Sequence, residues 1–149
     1  MKIAVGNDHG GLNHKRLVLK YLEEKGYEYV NFGTDTEASV DYPEYGTKVA
    51  EAVASGECQL GILICGTGIG MSIVANKVPG IRCGHCHDVF SAKMTRKHND
   101  ANVLALGERV VGAGLMLEIV EAFLTSDFEG GRHQKRVDKI TETEKKYSK

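Results

Sequence analysis

No stretch of the chain approaches the ~18 consecutive apolar residues of a membrane span. The opening Met1-Lys2-Ile3-Ala4-Val5 has neither the long apolar run nor the small-residue cleavage site of a secretory signal. A cytoplasmic protein without membrane attachment is therefore expected. An excess of positive charge is also missing: 19 Lys plus Arg stand against 20 Asp plus Glu, a formal net charge of -1, so the molecule as a whole is no match for a nucleic-acid backbone. Any anion site must be local. The four cysteines, Cys58, Cys65, Cys83 and Cys86, are too sparse for a disulfide framework, and a cytosolic setting favours free thiols. No internal repeat or low-complexity linker breaks the chain, so residues 1–149 read as a single domain, long enough to bury roughly 68–70% of its unfolded surface.

The hydrophobic pattern alternates between strand and helix. Lys2 to Gly6 is a short β-like run, and Gly10 to Lys25 is helical, with Val18, Tyr21 and Leu22 on one face and Gly26 as its stop. Tyr27 to Asn31 reads as a second strand, Pro43 to about Gly56 as a helix, and Leu60 to Ile64 as a buried third strand. A helix over Met71–Lys77, a strand over Gly80–Gly84, a helix over Asp88–Lys97 and a strand over Val103–Leu106 continue the series. Leu115, Ile119, Val120 and Phe123 make an apolar helical stripe, and a charged helix runs from about Arg132 towards Lys146, with Val137 and Ile140 as its apolar docking positions. Five βα repeats imply a parallel sheet covered on both faces.

The most informative junction is Cys65-Gly66-Thr67-Gly68-Ile69-Gly70, a thiol at a strand-to-helix turn, where open α/β sheets place ligands. Glycines let backbone N–H groups approach an anion, and a helix start favours negative charge and thiolate. A buried structural cysteine is the competing reading. Two phosphate-transfer motifs fail: a phosphatase loop needs arginine where Met71 stands, and a nucleotide P-loop needs Gly-Lys-Ser/Thr where the chain has Gly70-Met71-Ser72. The first strand ends in Gly6-Asn7-Asp8-His9-Gly10-Gly11, which brings Asp8 and His9 to the same sheet edge, either as site residues or as a helix cap and a solvated loop histidine.

Cys83-Gly84-His85-Cys86 opens a helix after a strand, as redox motifs do, but it follows three βα units instead of opening the domain. Four zinc donors within Cys83–His87 cannot easily face one tetrahedral ion, and no second ligand cluster exists, so no metal is expected. His98-Asn99-Asp100 closes the fourth helix, where Asn99 and His98 are either a C-cap with a dipole partner or catalytic. Arg109, Arg132, His133 and Arg136 are either a solvated basic face or anchors for a phosphorylated substrate.

Five ordered segments carry a family resemblance: Gly6-Asn7-Asp8-His9-Gly10-Gly11, Asp41-Tyr42-Pro43, Ile64-Cys65-Gly66-Thr67-Gly68-Ile69-Gly70, Arg96-Lys97-His98-Asn99-Asp100 and Gly130-Gly131-Arg132-His133-Gln134-Lys135-Arg136-Val137. Over nearly the whole chain they resemble ribose-5-phosphate isomerase type B and the related galactose-6-phosphate isomerase subunits. The resemblance implies a Rossmann-like three-layer α/β/α sandwich with a five-stranded parallel sheet and a C-terminal docking helix. It implies a homodimer or dimer of dimers with sites at the subunit interface, and no metal or cofactor. It casts Cys65 as the base moving a proton between C1 and C2, Thr67 as its polar partner and His98 as the ring opener. Amides from Gly66, Gly68, Ile69 and Gly70 become the anion hole, Asp8, Tyr42 and Asn99 the sugar contacts, and His9, Arg109, Arg132 and Arg136 the phosphate contacts.

The alternatives are a six-carbon sugar-phosphate isomerase acting on allose 6-phosphate or galactose 6-phosphate, a thiol–disulfide protein using Cys83 and Cys86, and a non-catalytic sugar-phosphate binding module. The Cys83-Gly84-His85-Cys86 segment is the one departure from the family pattern, where smaller apolar residues are expected.

Overall fold

The computed structural model describes residues 1–149. Its strands are β1 (Lys2–Asn7), β2 (Glu28–Asn31), β3 (Leu60–Cys65), β4 (Cys83–His85) and β5 (Val103–Gly107). They form one parallel sheet in the order β2-β1-β3-β5-β4. β3 and β5 are buried along their whole length, so they read as continuous apolar runs without alternation. Six helices complete the chain: α1 (Leu12–Lys25), α2 (Tyr42–Ala54), α3 (Ile69–Ala75), α4 (Val89–Asn99), α5 (Ala113–Thr125) and α6 (Arg132–Tyr147).

Two cores lie on the two faces of the sheet. On one, Val18 and Leu22 of α1, Ala92 of α4 and Met116, Ile119, Val120 and Phe123 of α5 pack on Ile62, Ile64, Leu104 and Leu106. On the other, Val49 and Val53 of α2 and Met71 and Ala75 of α3 pack on Leu63, Val103 and Ala105. Each fully buried aliphatic side chain contributes about 1.5–3 kcal/mol, so the two layers together hold the sheet's direction and register. The expected α/β/α sandwich is therefore the fold observed.

Several element boundaries differ from the sequence reading. The fourth strand is Cys83–His85 instead of Gly80–Gly84, because Gly80 takes a left-handed φ of 88° that a strand cannot hold. The glycine-rich helix starts at Ile69, capped by Gly68 at φ 81°, and not at Met71. In α5 the stripe includes Met116, while Leu115 is exposed; in α6 Val137 is buried but Ile140 is exposed. Asp100, not Asn99, is the left-handed C-cap of α4 at φ 47°. Lys15, buried on α1, is held by the Asp35 carboxylate at 2.5 Å and the Thr34 carbonyl at 2.8 Å, and the first of these bonds lowers the Asp35 carboxyl below its usual range.

Candidate active site

The strand order reverses direction between β1 and β3: β2 lies beyond β1 on one side, β5 and β4 beyond β3 on the other. Parallel sheets leave a crevice outside the carboxyl ends at such a point. Asp8 comes directly after β1 and Cys65 ends β3, and the two strands are joined there by the Asp8 N–H donating to the Ile64 carbonyl. Cys65 is buried at 6% exposure. The Gly68 N–H donates to its Sγ at 3.1 Å, so a donor is aimed at the atom that carries charge when a thiol acts as a base.

Thr67, Tyr42, Arg109, Asp8 and His9 lie around the turn that carries this thiol. The Ile69 N–H donates to Thr67 Oγ1, which turns two amides of the Gly66–Gly70 loop inward on Cys65 and Thr67. A Cβ on Gly66 would lie 3.6 Å from the Arg109 side chain, so that guanidinium lies alongside the loop. Gly70 lies under the Tyr42 ring, which an added Cβ would overlap. The Asp8 carboxylate accepts from the Gly10 N–H, and His9 Nδ1 accepts from the Val40 N–H at 3.2 Å, leaving its Nε2 to carry the proton and donate outward. The capping role weighed for Asp8 is thus real, and it fixes the carboxylate at the crevice.

Gly107 sets how closely β5 approaches this loop. A Cβ there would lie 2.5 Å from the Thr67 carbonyl carbon, a backbone atom that cannot yield without moving the turn. Gly107→Ala is expected to lower kcat by about 10²-fold, the scale set by a 1 Å misplacement of reacting groups. Steady-state kinetics alongside a circular-dichroism melt check it; unchanged kcat would mean that the turn tolerates displacement.

His98, Asn99, Arg132 and Arg136 are not at this crevice. α4 runs back from β4 to the opposite sheet edge, where Asn102 bonds to Arg82 and Gly61 at the starts of the strands. Cys65 pairs with Gly107 at the far end of β5. Four residue steps from Val103 to Gly107 at about 3.3 Å each separate the two edges by roughly 13 Å before the further distance to His98 is counted. The Glu129 N–H donates to the Lys97 carbonyl, which brings the start of α6 beside His98. The predicted site is split between two ends of one chain.

At this second edge the His98 and His133 rings stack, with centroids 4.1 Å apart and planes 11° apart, and Glu129 Oε1 lies 3.6 Å from His98 Nε2 and 3.4 Å from His133 Nε2. Desolvation lowers the His133 imidazole from its ordinary range, helped by the positive charges of His98, Arg132 and Arg136 and opposed by Glu129. The three donor atoms lie within 4.8 Å of one another. Nearly parallel rings do not converge their lone pairs on one ion, however, and Arg132 and Arg136 add positive charge, so the arrangement suits an anion better than a metal. Arg132 and Arg136 are exposed at i,i+4 on α6 while His133 and Val137 anchor its other face. The largest cavity, 670 Å³ beneath α6, includes Asn99 but neither Asp8 nor Cys65.

Comparison with known proteins decides the family. The model of the Ribose/Galactose Isomerase family matches residues 3–140. The chain belongs to that family. Among its relatives, the Escherichia coli protein named ribose-5-phosphate isomerase B is 51% identical over 97% of each chain. A Pectobacterium atrosepticum protein named D-erythrulose-4-phosphate isomerase is 45% identical over 94% of this chain and 93% of its own. The solved structure of Clostridium thermocellum ribose-5-phosphate isomerase B superposes with a TM-score of 0.98 at 61% identity, covering 99% of this chain and 100% of that one.

For this isomerase-family member the redox alternative is corrected by geometry. Cys83 packs on one core and Cys86 on the other, so the two thiols face opposite sides of the sheet, and all four cysteines are free. Burial pushes Cys83 up to about 12 and Cys86 to about 11, far from a reactive thiolate. Sequence reasoning missed Glu129, hidden just before Gly130-Gly131, and the place of His85, which lies against the Thr67 turn.

Proposed function

We propose that the protein is an aldose–ketose isomerase interconverting ribose 5-phosphate and ribulose 5-phosphate. The carrying observation is the Cys65 thiol at the switch-point crevice with the Gly68 N–H on its sulfur. Family membership and the 51% and 61% identities to proteins named ribose-5-phosphate isomerase B support the substrate.

The chemistry needs no external oxidant. His98 gives a proton to the ring oxygen as the furanose opens, while the anomeric hydroxyl releases one to water, from which His98 is reprotonated. The Cys65 thiolate takes the proton from C2 of the open aldose, and the electron pair moves into an enediolate across C1 and C2. The thiol returns its proton to C1, and the C2 hydroxyl proton moves to the C1 oxygen, leaving a ketone at C2. Thr67 and the loop amides not engaged by Cys65 Sγ and Thr67 Oγ1 face the enediolate oxygens. Asp8, Tyr42 and Asn99 hold hydroxyls, while His9, Arg109, Arg132 and Arg136 bind the phosphate and position the carbons.

Since Cys65 and His98 sit at opposite sheet edges of one chain, the working unit is a two-fold homodimer, or a pair of such dimers, in which each crevice receives His98, Asn99, Arg132 and Arg136 from the other copy. The exposed Ile69 and Ile73 on α3, beside the crevice, supply apolar surface for such an interface. The whole proposal is tested by kcat/KM for ribose 5-phosphate against erythrulose 4-phosphate, allose 6-phosphate and galactose 6-phosphate, with light scattering for the assembly. Ribose 5-phosphate is expected to lead; a higher value for a four- or six-carbon phosphate would reassign the substrate, and a fully active monomer would overturn the shared site.

A further inference from the structure

The Cys83-Gly84-His85-Cys86-His87 run has no redox role, yet one of its histidines touches the reacting turn. His85 Nε2 lies 2.8 Å from the Thr67 carbonyl oxygen. A carbonyl only accepts, so the ring nitrogen facing it carries the proton and donates. The Thr67 carbonyl and the Gly68 N–H belong to one peptide unit, and that N–H donates to Cys65 Sγ at 3.1 Å. The three groups form one chain: imidazole N–H to carbonyl, and through the same peptide, amide N–H to sulfur.

We propose that His85 is a positioning residue for Cys65, acting through the Thr67–Gly68 peptide. The inference rests on the reading of Cys65 as the base. Its physical basis is twofold. A hydrogen bond on a carbonyl polarises its amide and strengthens the N–H as a donor, so the sulfur is better supported when it carries charge. The bond also fixes the orientation of a turn whose central residue, Gly68, has a left-handed φ of 81°.

The ring is well placed for this. A Cβ on Gly68 would lie 2.7 Å from His85 Nε2, so the imidazole is directly against the turn. His87 stands edge-on to His85 with centroids 4.5 Å apart, and its Nε2 lies 3.4 Å from the same carbonyl, a weaker second donor. Strand pairing places His85, the last residue of the edge strand β4, opposite Ala105, so its backbone is held by the ladder while its side chain reaches the loop.

Three substitutions separate this role from simple packing. His85→Leu removes the donor, His85→Asn keeps polarity but is too short to reach, and His85→Gln places an amide N–H near the position of Nε2. Two readouts are taken on the full-length protein at neutral pH: kcat and KM for ribose 5-phosphate, and the rate of Cys65 alkylation by iodoacetamide, followed on the Cys65 peptide by mass spectrometry. His85→Leu and His85→Asn are expected to lose about 2–10-fold in both kcat and alkylation rate, the worth of one net hydrogen bond, with KM unchanged. His85→Gln is expected to restore both.

Wild-type alkylation rates in the Leu and Asn variants, or a Gln variant as impaired as they are, would overturn the proposal. Should His85→Leu fail to fold, the comparison of Asn with Gln decides it. The alkylation readout does not depend on turnover. A failure of Cys65 as the catalytic base, seen as an active Cys65→Ala enzyme, is therefore distinguishable from a failure of its coupling to His85.

Discussion

Cys65→Ala is expected to lower kcat for ribose 5-phosphate by about 10²–10⁴, the usual contribution of a positioned general base. KM is expected to change much less, because the phosphate contacts assigned to His9, Arg109, Arg132 and Arg136 are untouched. The fold should survive: Cys65 ends β3, its backbone pairs with Gly107 through the strand ladder, and the deletion removes one sulfur from a packed site at a cost of roughly 1 kcal/mol. Kinetics with a melting curve on the same sample check both halves. Near-wild-type turnover in a folded Cys65→Ala protein would require another base, and Asp8 and Glu108 are the carboxylates whose backbones are bonded to the end of β3.

The second expectation concerns two impaired proteins that recover activity on the ring form when mixed. Cys65→Ala removes the base from one half of the site and His98→Asn removes the ring opener from the other, and these halves lie at opposite edges of the sheet. In a two-fold dimer, a mixed pair has one site with both defects and one with neither. Random exchange makes half the dimers mixed, so activity should return to about a quarter of wild type by that symmetry. The measurement is the rate after the two variants are mixed under conditions that exchange subunits, compared with each alone. His98 acts on ring opening, so its single variant is also expected to retain isomerisation of the open-chain fraction. No recovery, with exchange verified by mass, would place the whole site within one chain.

Much of the fold was legible in local chemistry. Gly26 stops α1 with a left-handed φ of 78°, Pro43 sits in the first turn of α2, and the unbroken apolar run of β3 declares a strand buried on both faces. Misreadings came where short-range signals conflict. Leu115 fits an apolar stripe by spacing, but the stripe that faces the sheet runs through Met116. Gly80 and Cys83 fall in one run of strand-like residues, and only the left-handed backbone at Gly80 moved the strand start to Cys83.

The candidate site divides in the same way. Motif spacing put Asp8, Cys65, Thr67, His98 and Arg132 at turns and helix ends, where the structure has them. It could not reveal Glu129 between His98 and His133, because the contact joins the end of α4 to the loop before α6, 31 positions further along the chain. Nor could it reveal His85 at the Thr67 carbonyl, since the strand order that puts β4 beside β5 is not written in either segment.

By itself the sequence determined the class of this protein: parallel α/β, a thiol on a glycine turn without the arginine or lysine of a phosphate-transfer loop, late arginines, and a motif order that marks its family. Those are properties of residue type and spacing, which the chain carries in one dimension. The tertiary structure decided which of these residues can meet. All strands run the same way, so the turns leaving the strands collect at one edge of the sheet and the ends of the connecting helices collect at the other. That geometry puts Cys65 and His98 in different halves of the molecule, joins His85 to Cys65 through one peptide, and sends Cys83 and Cys86 to opposite faces.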